Sequence, residues 1–157
     1  MSLLVTGGVH LAIPQPTRGT GLLERILAQI RAARANKLIP QHHRAGRILD
    51  IGCGSYPYFL SHTSFAEKFA IEQQKFASGG SGIELQILNL NEEPLLPFPE
   101  QFFSVVTLLA VMEHLDPDNV VLLFTEIHRV LSPEGVVIIT TPASWSDSIL
   151  KTLAQLH

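Results

Sequence analysis

An apolar strand that runs directly into Asp50-Ile51-Gly52-Cys53-Gly54 constrains this chain more than any other feature. Glycines at a strand's C-terminal end let the backbone approach a ligand closely, and open α/β sheets bind their ligands at that end. The surrounding rhythm agrees. Short apolar runs at 46–51, 68–72, 83–88, 103–109 and 135–141 alternate with longer segments. Several are apolar almost throughout, as strands buried on both faces must be. Such alternation predicts an α/β fold with a doubly wound, mostly parallel sheet flanked by helices.

Three helices are expected. Thr20 caps one running to about Asn36, whose stripe of Leu22, Leu23, Ile26, Leu27, Ile30 and Ala33 should dock on a core. A second spans Asp118–Leu131, capped by Asp116 or Asp118 and stopped by Ser132–Pro133, and a third starts at Ser144. Residues 1–45 form an N-terminal segment around the first helix, and 46–157 form the core of what is one domain overall.

Composition narrows the class. Hydrophobic residues make up 46% of the 157 and charged residues only 16%, against about 25% charged in an average globular protein. That excludes disorder and suggests an apolar face meant for a partner. Cys53 is the sole cysteine, so a disulfide-stapled secreted scaffold is excluded. No apolar run approaches the ~20 residues that span a bilayer. The Leu3–Ile13 stretch is too short for a signal peptide and lacks a basic flank, so the expectation is a cytoplasmic protein with no membrane partner. Residues 1–47 carry a net +6 and the remainder −9. No aromatic residue is interleaved with those bases, which argues against nucleic acid and for a solvated helix face.

Two cofactor classes compete for the glycine loop. A dinucleotide site wants G-x-G-x-x-G, but the third glycine position here is Pro57. The sequence offers instead a carboxylate, Asp50, two residues before the first glycine, which suits a cofactor with an ammonium group and no pyrophosphate. A capping role is the structural alternative for Asp50. Glu72 ends the second strand, 22 residues after Asp50, where an acid can accept both ribose hydroxyls. Its alternative is an exposed charge on a turn.

At this point the chain resembles a family. Asp50–Gly54, Leu96-Pro97-Phe98-Pro99-Glu100-Gln101-Phe102-Phe103, Ala110-Val111-Met112-Glu113-His114-Leu115 and Leu131-Ser132-Pro133-Glu134-Gly135 look like class I S-adenosylmethionine-dependent methyltransferases, of the methyltransferase type 11-like group. The four motifs are collinear from about Arg47 to Pro142. The resemblance implies a Rossmann-like sheet, with S-adenosylmethionine as cofactor and S-adenosylhomocysteine as product. It further implies that Asp50, Gly52, Cys53 and Gly54 hold the methionine part, Glu72 the ribose, and Gln73 the adenine face. Asn89 and Leu90 stand where the family usually has Asp-Leu, reading the adenine edge. Ala110 and Val111 would line the floor near the sulfonium.

The departures are Tyr56 in the glycine loop, Ser104 after Phe103, and Glu100 for a common Asp. Tyr56 shapes the entrance or simply packs. Glu113-His114 resembles a Glu-x-x-Glu-His metal arrangement, but Ala110 occupies the first Glu position, leaving fewer ligands than a metal needs, so no metal is expected. His114 is the candidate catalytic base, with a satisfied structural histidine as its alternative. Cys53 reads as a small packed residue, and His42-His43 as linker.

The resemblance implies seven strands, and this chain is expected to lack the last two. The fifth strand is then a sheet edge, expected to pair in a homodimer or to be covered by the terminal helix. The function implied is methyl transfer to an unidentified small-molecule acceptor. The alternative is a degenerate or truncated cofactor-binding module acting through a partner chain, with a nucleotide-binding oxidoreductase third.

Overall fold

The computed structural model describes residues 22–141, with side chains from Ile26 onward. The elements in order are α1 (Leu22–Leu38), a 3-10 turn (Gln41–Ala45), β1 (Arg47–Ile51), α2 (Tyr58–Ser61) and β2 (Glu67–Glu72), then β3 (Glu84–Ile87), β4 (Phe103–Leu109), a second 3-10 turn (Met112–His114), α3 (Pro117–Val130) and β5 (Leu131–Thr140). The strands lie in the order β3-β2-β1-β4-β5, and all four pairings are parallel. The chain moves outward from β1 in one direction and from β4 in the other. That makes the crevice at the carboxyl ends of β1 and β4 the switch point where such sheets bind ligands.

The two-residue period of a strand divides the core. Leu49, Ile51, Phe69, Ile71, Val106 and Leu108 face one layer with Leu123, Ile127 and Val130 of α3. Ile48, Ala70, Val105 and Ile138 face the other, with Phe59 and Leu60 of α2 and Ala32, Ala35 and Ile39 from the α1 side. Phe69, Phe98, Phe102 and Phe103 form a cluster that is edge-to-face except for the stacked Phe98–Phe102 pair, with Phe98 and Phe103 centroids 4.8 Å apart.

Three expectations change. In α1 the stripe predicted to dock faces outward: Ile26 is 43% exposed, Leu27 38% and Ile30 43%. Ala33 is exposed as well, and the side chains of Leu22 and Leu23 lie outside the described residues. Helix and sheet instead meet through Ala32 and Ala35, because Ile48, Leu60, Val105 and Ile138 already fill that layer and leave room only for small side chains. Second, a short helix forms that the sequence did not mark. α2 has four residues, and residues 73–83 join β2 to β3 without a helix.

Third, β5 begins at Leu131, directly after α3, rather than at 135. Its pairing jumps from Phe103↔Leu131 to Val105↔Val136, so Ser132–Gly135 loop out of the ladder. Pro133 has no N–H to contribute there. A side chain on Gly135 would meet Leu131 Cδ2 at 2.8 Å and the Ser132 carbonyl at 2.9 Å. Asp116 does occupy the N-cap of α3, but Pro117 starts the helix and the Asp116 side chain makes no capping bond. Among the described residues β5 pairs with β4 alone. The helix expected from Ser144 lies outside them.

Candidate functional site

Asp50 and Thr107 face each other across β1 and β4, and the Thr107 hydroxyl donates to Asp50 Oδ1 at 2.6 Å. Both are buried. A threonine inside the apolar run of β4 is therefore explained by the carboxylate beside it, since a buried charge needs donors. After β1 the chain turns through Gly52 (φ 67°) and Gly54 (φ 78°). The Gly52 N–H donates to the Ile71 carbonyl at 2.8 Å, and a Cβ on Gly52 would lie 2.6 Å from Val111 Cγ2. Glycine is required at Gly52 both for its left-handed backbone and for the approach of Val111. Cys53 is buried between the two glycines, its thiol 3.6 Å from the Gly54 carbonyl.

Glu72 ties this loop to the end of β2. Its Oε2 accepts from the Gly54 N–H at 2.7 Å and its Oε1 from the Gln73 N–H at 2.9 Å. Two backbone amides thus orient the carboxylate, and each oxygen keeps a further lone pair. Gln73 Nε2 donates to Asn89 Oδ1 at 3.2 Å, and Asn89 Nδ2 donates to Glu92 Oε1 at 2.8 Å. Leu90 buries its side chain in the core. The bonds form a continuous line from Gly54 through Glu72 and Gln73 to Asn89.

The β4 end closes the line. Ala110 has φ 59°, a left-handed backbone that an alanine rarely takes, and its N–H meets both the carbonyl (2.9 Å) and the hydroxyl (3.1 Å) of Thr140. Val111 is buried against Gly52. The side chain of His114 is exposed, while its N–H bonds the Val111 carbonyl at 2.9 Å. Ala110→Gly relaxes the left-handed strain and is expected to raise stability by about 1 kcal/mol. Urea unfolding would measure it, and a destabilised variant would show that the strain account is wrong.

Sequence reasoning missed Asn91. Its Oδ1 accepts from the Asp116 N–H at 2.9 Å, its Nδ2 donates to the His114 carbonyl at 3.0 Å, and its own carbonyl accepts from Asn119 Nδ2 at 2.9 Å. It joins the β3 loop to the β4 loop and the start of α3. Tyr56 packs: its ring lies over Gly79, where a Cβ would sit 2.5 Å from Cε2. The Ala77 N–H donates to the Ser55 carbonyl at 2.8 Å, fastening the β2–β3 connection to the glycine loop. Among the described residues no three His, Cys, Asp or Glu side chains converge on a point that could hold a metal, and no helix is long and apolar enough to cross a membrane.

Residues 22–156 match a family model described as a methyltransferase domain. The chain belongs to the methyltransferase domain family. Similar solved structures share the fold of this methyltransferase domain. An S-adenosylmethionine-dependent methyltransferase from Mesorhizobium loti is 23% identical with a TM-score of 0.56, covering 73% of this chain and 53% of its own. The PH0226 protein of Pyrococcus horikoshii is 20% identical with a TM-score of 0.66, over 87% of this chain and 65% of its own. Phosphoethanolamine N-methyltransferase 1 of Haemonchus contortus, solved with phosphoethanolamine and S-adenosylhomocysteine, is 16% identical with a TM-score of 0.62, over 75% and 26%. The methyltransferase domain thus spans between about a quarter and two-thirds of the length of these three proteins. No curated protein sequence matches it. The family match and these neighbours bear out the class I methyltransferase resemblance of the sequence.

Proposed function

We propose that this domain binds S-adenosylmethionine along the carboxyl ends of β1 to β4 and serves methyl transfer to a small-molecule acceptor, with S-adenosylhomocysteine as product. The observation that carries this reading is the line of bonds from Gly54 through Glu72 and Gln73 to Asn89, laid across the switch point of a sheet in this family. The donor set suits the cofactor. Glu72, already oriented by two amides, offers free lone pairs to a ribose diol, and Asn89 offers an amide to an adenine edge. Asp50, Gly52, Cys53 and Gly54 would hold the amino-acid end, and Ala110 and Val111 the floor.

When bound, the cofactor supplies an activated methyl group on a positive sulfur. The protein's share is then to orient the two reactants and exclude water. The strained Ala110 turn and the packed Val111–Gly52 contact fix the floor on which that orientation depends. His114, exposed beside this floor, is the candidate to take a proton from a protonated acceptor.

Calorimetric titration of the protein with S-adenosylhomocysteine, with NAD as control, tests the reading. Glu72→Ala is expected to weaken S-adenosylhomocysteine by at least about tenfold, since hydrogen bonds to a charged group contribute about 1.5–3 kcal/mol. Tighter binding of NAD, or an unchanged Kd in Glu72→Ala, would overturn it.

A further inference from the structure

Among the described residues one buried side-chain polar atom has no hydrogen-bond partner: Glu113 Oε2. Native proteins rarely leave such an atom unpaired, and a carboxylate oxygen is among the costliest to leave so. Glu113 lies in the Met112–His114 turn at the carboxyl end of β4. That turn is held on both sides. Its neighbour Val111 packs on Gly52, and the His114 carbonyl is bonded by Asn91. A mere surface acid in such a turn would point its oxygens at water.

Among the described residues no lysine or arginine makes a hydrogen bond or ion pair with it. From Phe76 to His128 there is no lysine or arginine, while Glu84, Glu92, Glu93, Glu100, Glu113, Asp116, Asp118 and Glu126 all fall in that span. Four described bases elsewhere are committed, while Lys75 on the β2–β3 connection is exposed. Arg44 is bonded to Asn36 and Thr63, Arg47 to Glu67, Lys68 to the Leu60 carbonyl, and Arg129 to Glu126 and the carbonyls of Leu96 and Phe98. A phosphate or carboxylate on the acceptor would find acids and no counter-ion along the β3 and β4 loops. A protonated amine would find the opposite.

We infer that the acceptor carries a cationic amino group and that Glu113 is the specificity-determining residue that receives it. This rests on the proposed methyltransferase reading and names the substrate class for that same site. It separates this domain from an acceptor site built around an anionic group.

The test has two arms. In the first, the free protein is melted as wild type, as Glu113→Gln and as Glu113→Met. An unpaired carboxylate kept for a ligand predicts that Glu113→Met raises the melting temperature, by about 2–4 °C for each kcal/mol in a domain of this size. A carboxylate that merely supports the turn predicts a fall in both variants, and that result overturns the inference. In the second, the protein saturated with S-adenosylhomocysteine is titrated with 2-phenylethylamine and with 3-phenylpropionate, probes of similar size and opposite charge. The expected result is at least a tenfold preference for the amine that disappears in Glu113→Gln. Equal or tighter binding of the carboxylate, no amine binding, or an amine preference retained in Glu113→Gln overturns it. Failure of S-adenosylhomocysteine to bind at all sinks the methyltransferase reading instead, and the melting arm still decides whether Glu113 is structural.

Discussion

Gly52→Ala is expected to destabilise the domain by roughly 2–4 kcal/mol and to weaken S-adenosylhomocysteine with it. Two independent effects add. The backbone at Gly52 has φ 67°, where any side chain is strained by about 1–2 kcal/mol. The new Cβ would also sit 2.6 Å from Val111 Cγ2 and 3.1 Å from Cγ1. Val111 has little room to retreat, since it is buried in the α3-side core. The two effects are separable. In Gly52→Ala/Val111→Ala the clash is gone and the backbone strain remains, so part of the stability should return, above the level of the two single losses added. Urea unfolding at matched m-values measures this, and a Gly52→Ala loss below about 1 kcal/mol would show that neither effect operates.

The second large effect concerns the clamp behind the site. Glu126 is buried on α3, and its Oε2 accepts from the Leu96 N–H at 2.9 Å. Arg129 closes on the same carboxylate through Nε at 2.8 Å and Nη2 at 2.6 Å, and also donates to the carbonyls of Phe98 (2.8 Å) and Leu96 (3.0 Å). This pair fastens the Leu96-Pro97-Phe98 segment to α3 and seats Phe98 in the aromatic cluster. Glu126→Gln keeps the shape, removes the charge and leaves Arg129 half-buried without a counter-ion. The expected loss at neutral pH is about 2–3 kcal/mol.

The pH dependence carries a sign. The Arg129 hydrogen bond holds the Glu126 carboxyl below its ordinary range, outweighing burial, which pushes the other way; the Leu96 amide adds to the lowering. A depressed folded value means that the stabilisation is fully present above the unfolded carboxylate pKa of about 4.3 and is lost as pH falls through the folded value. The gap in stability between wild type and Glu126→Gln should therefore be constant from neutral pH down to about 5 and close in more acid solution. A gap that persisted unchanged in strong acid would contradict the charge account.

Much of this architecture was legible because strand burial and loop glycines are local signals. The five apolar runs marked the five strands to within a few residues, and the acid before Gly52 and the acid ending β2 were visible as residue types at the right spacing. The face of α1 was not legible, for a physical reason. The helix carries two apolar stripes, Ile26-Leu27-Ile30 and Ala32-Ala35, the second continued by Ile39 just past the helix end, and helical period cannot choose between them. The space left by Ile48, Leu60 and Val105 chose the small one. Thr107 and Asn91 escaped because their importance depends on register: Thr107 matters only once β4 lies opposite Asp50, and Asn91 only once α3 begins beside it. The loop at Ser132–Gly135 could be read as a helix stop, and it took the pairing with Phe103 to show that the strand begins before it.

The central claim is that one ligand touches four loops at once. Amide-resolved NMR during titration with S-adenosylhomocysteine tests it most directly. The amides of Gly54, Gln73, Leu90 and Val111 belong to the loops after β1, β2, β3 and β4 in turn. All four should shift together and fit a single Kd, while amides at the opposite sheet end, such as Gly46 and Ser104, stay in place. Shifts confined to one loop, or centred on Gly46 and Ser104, would contradict the account.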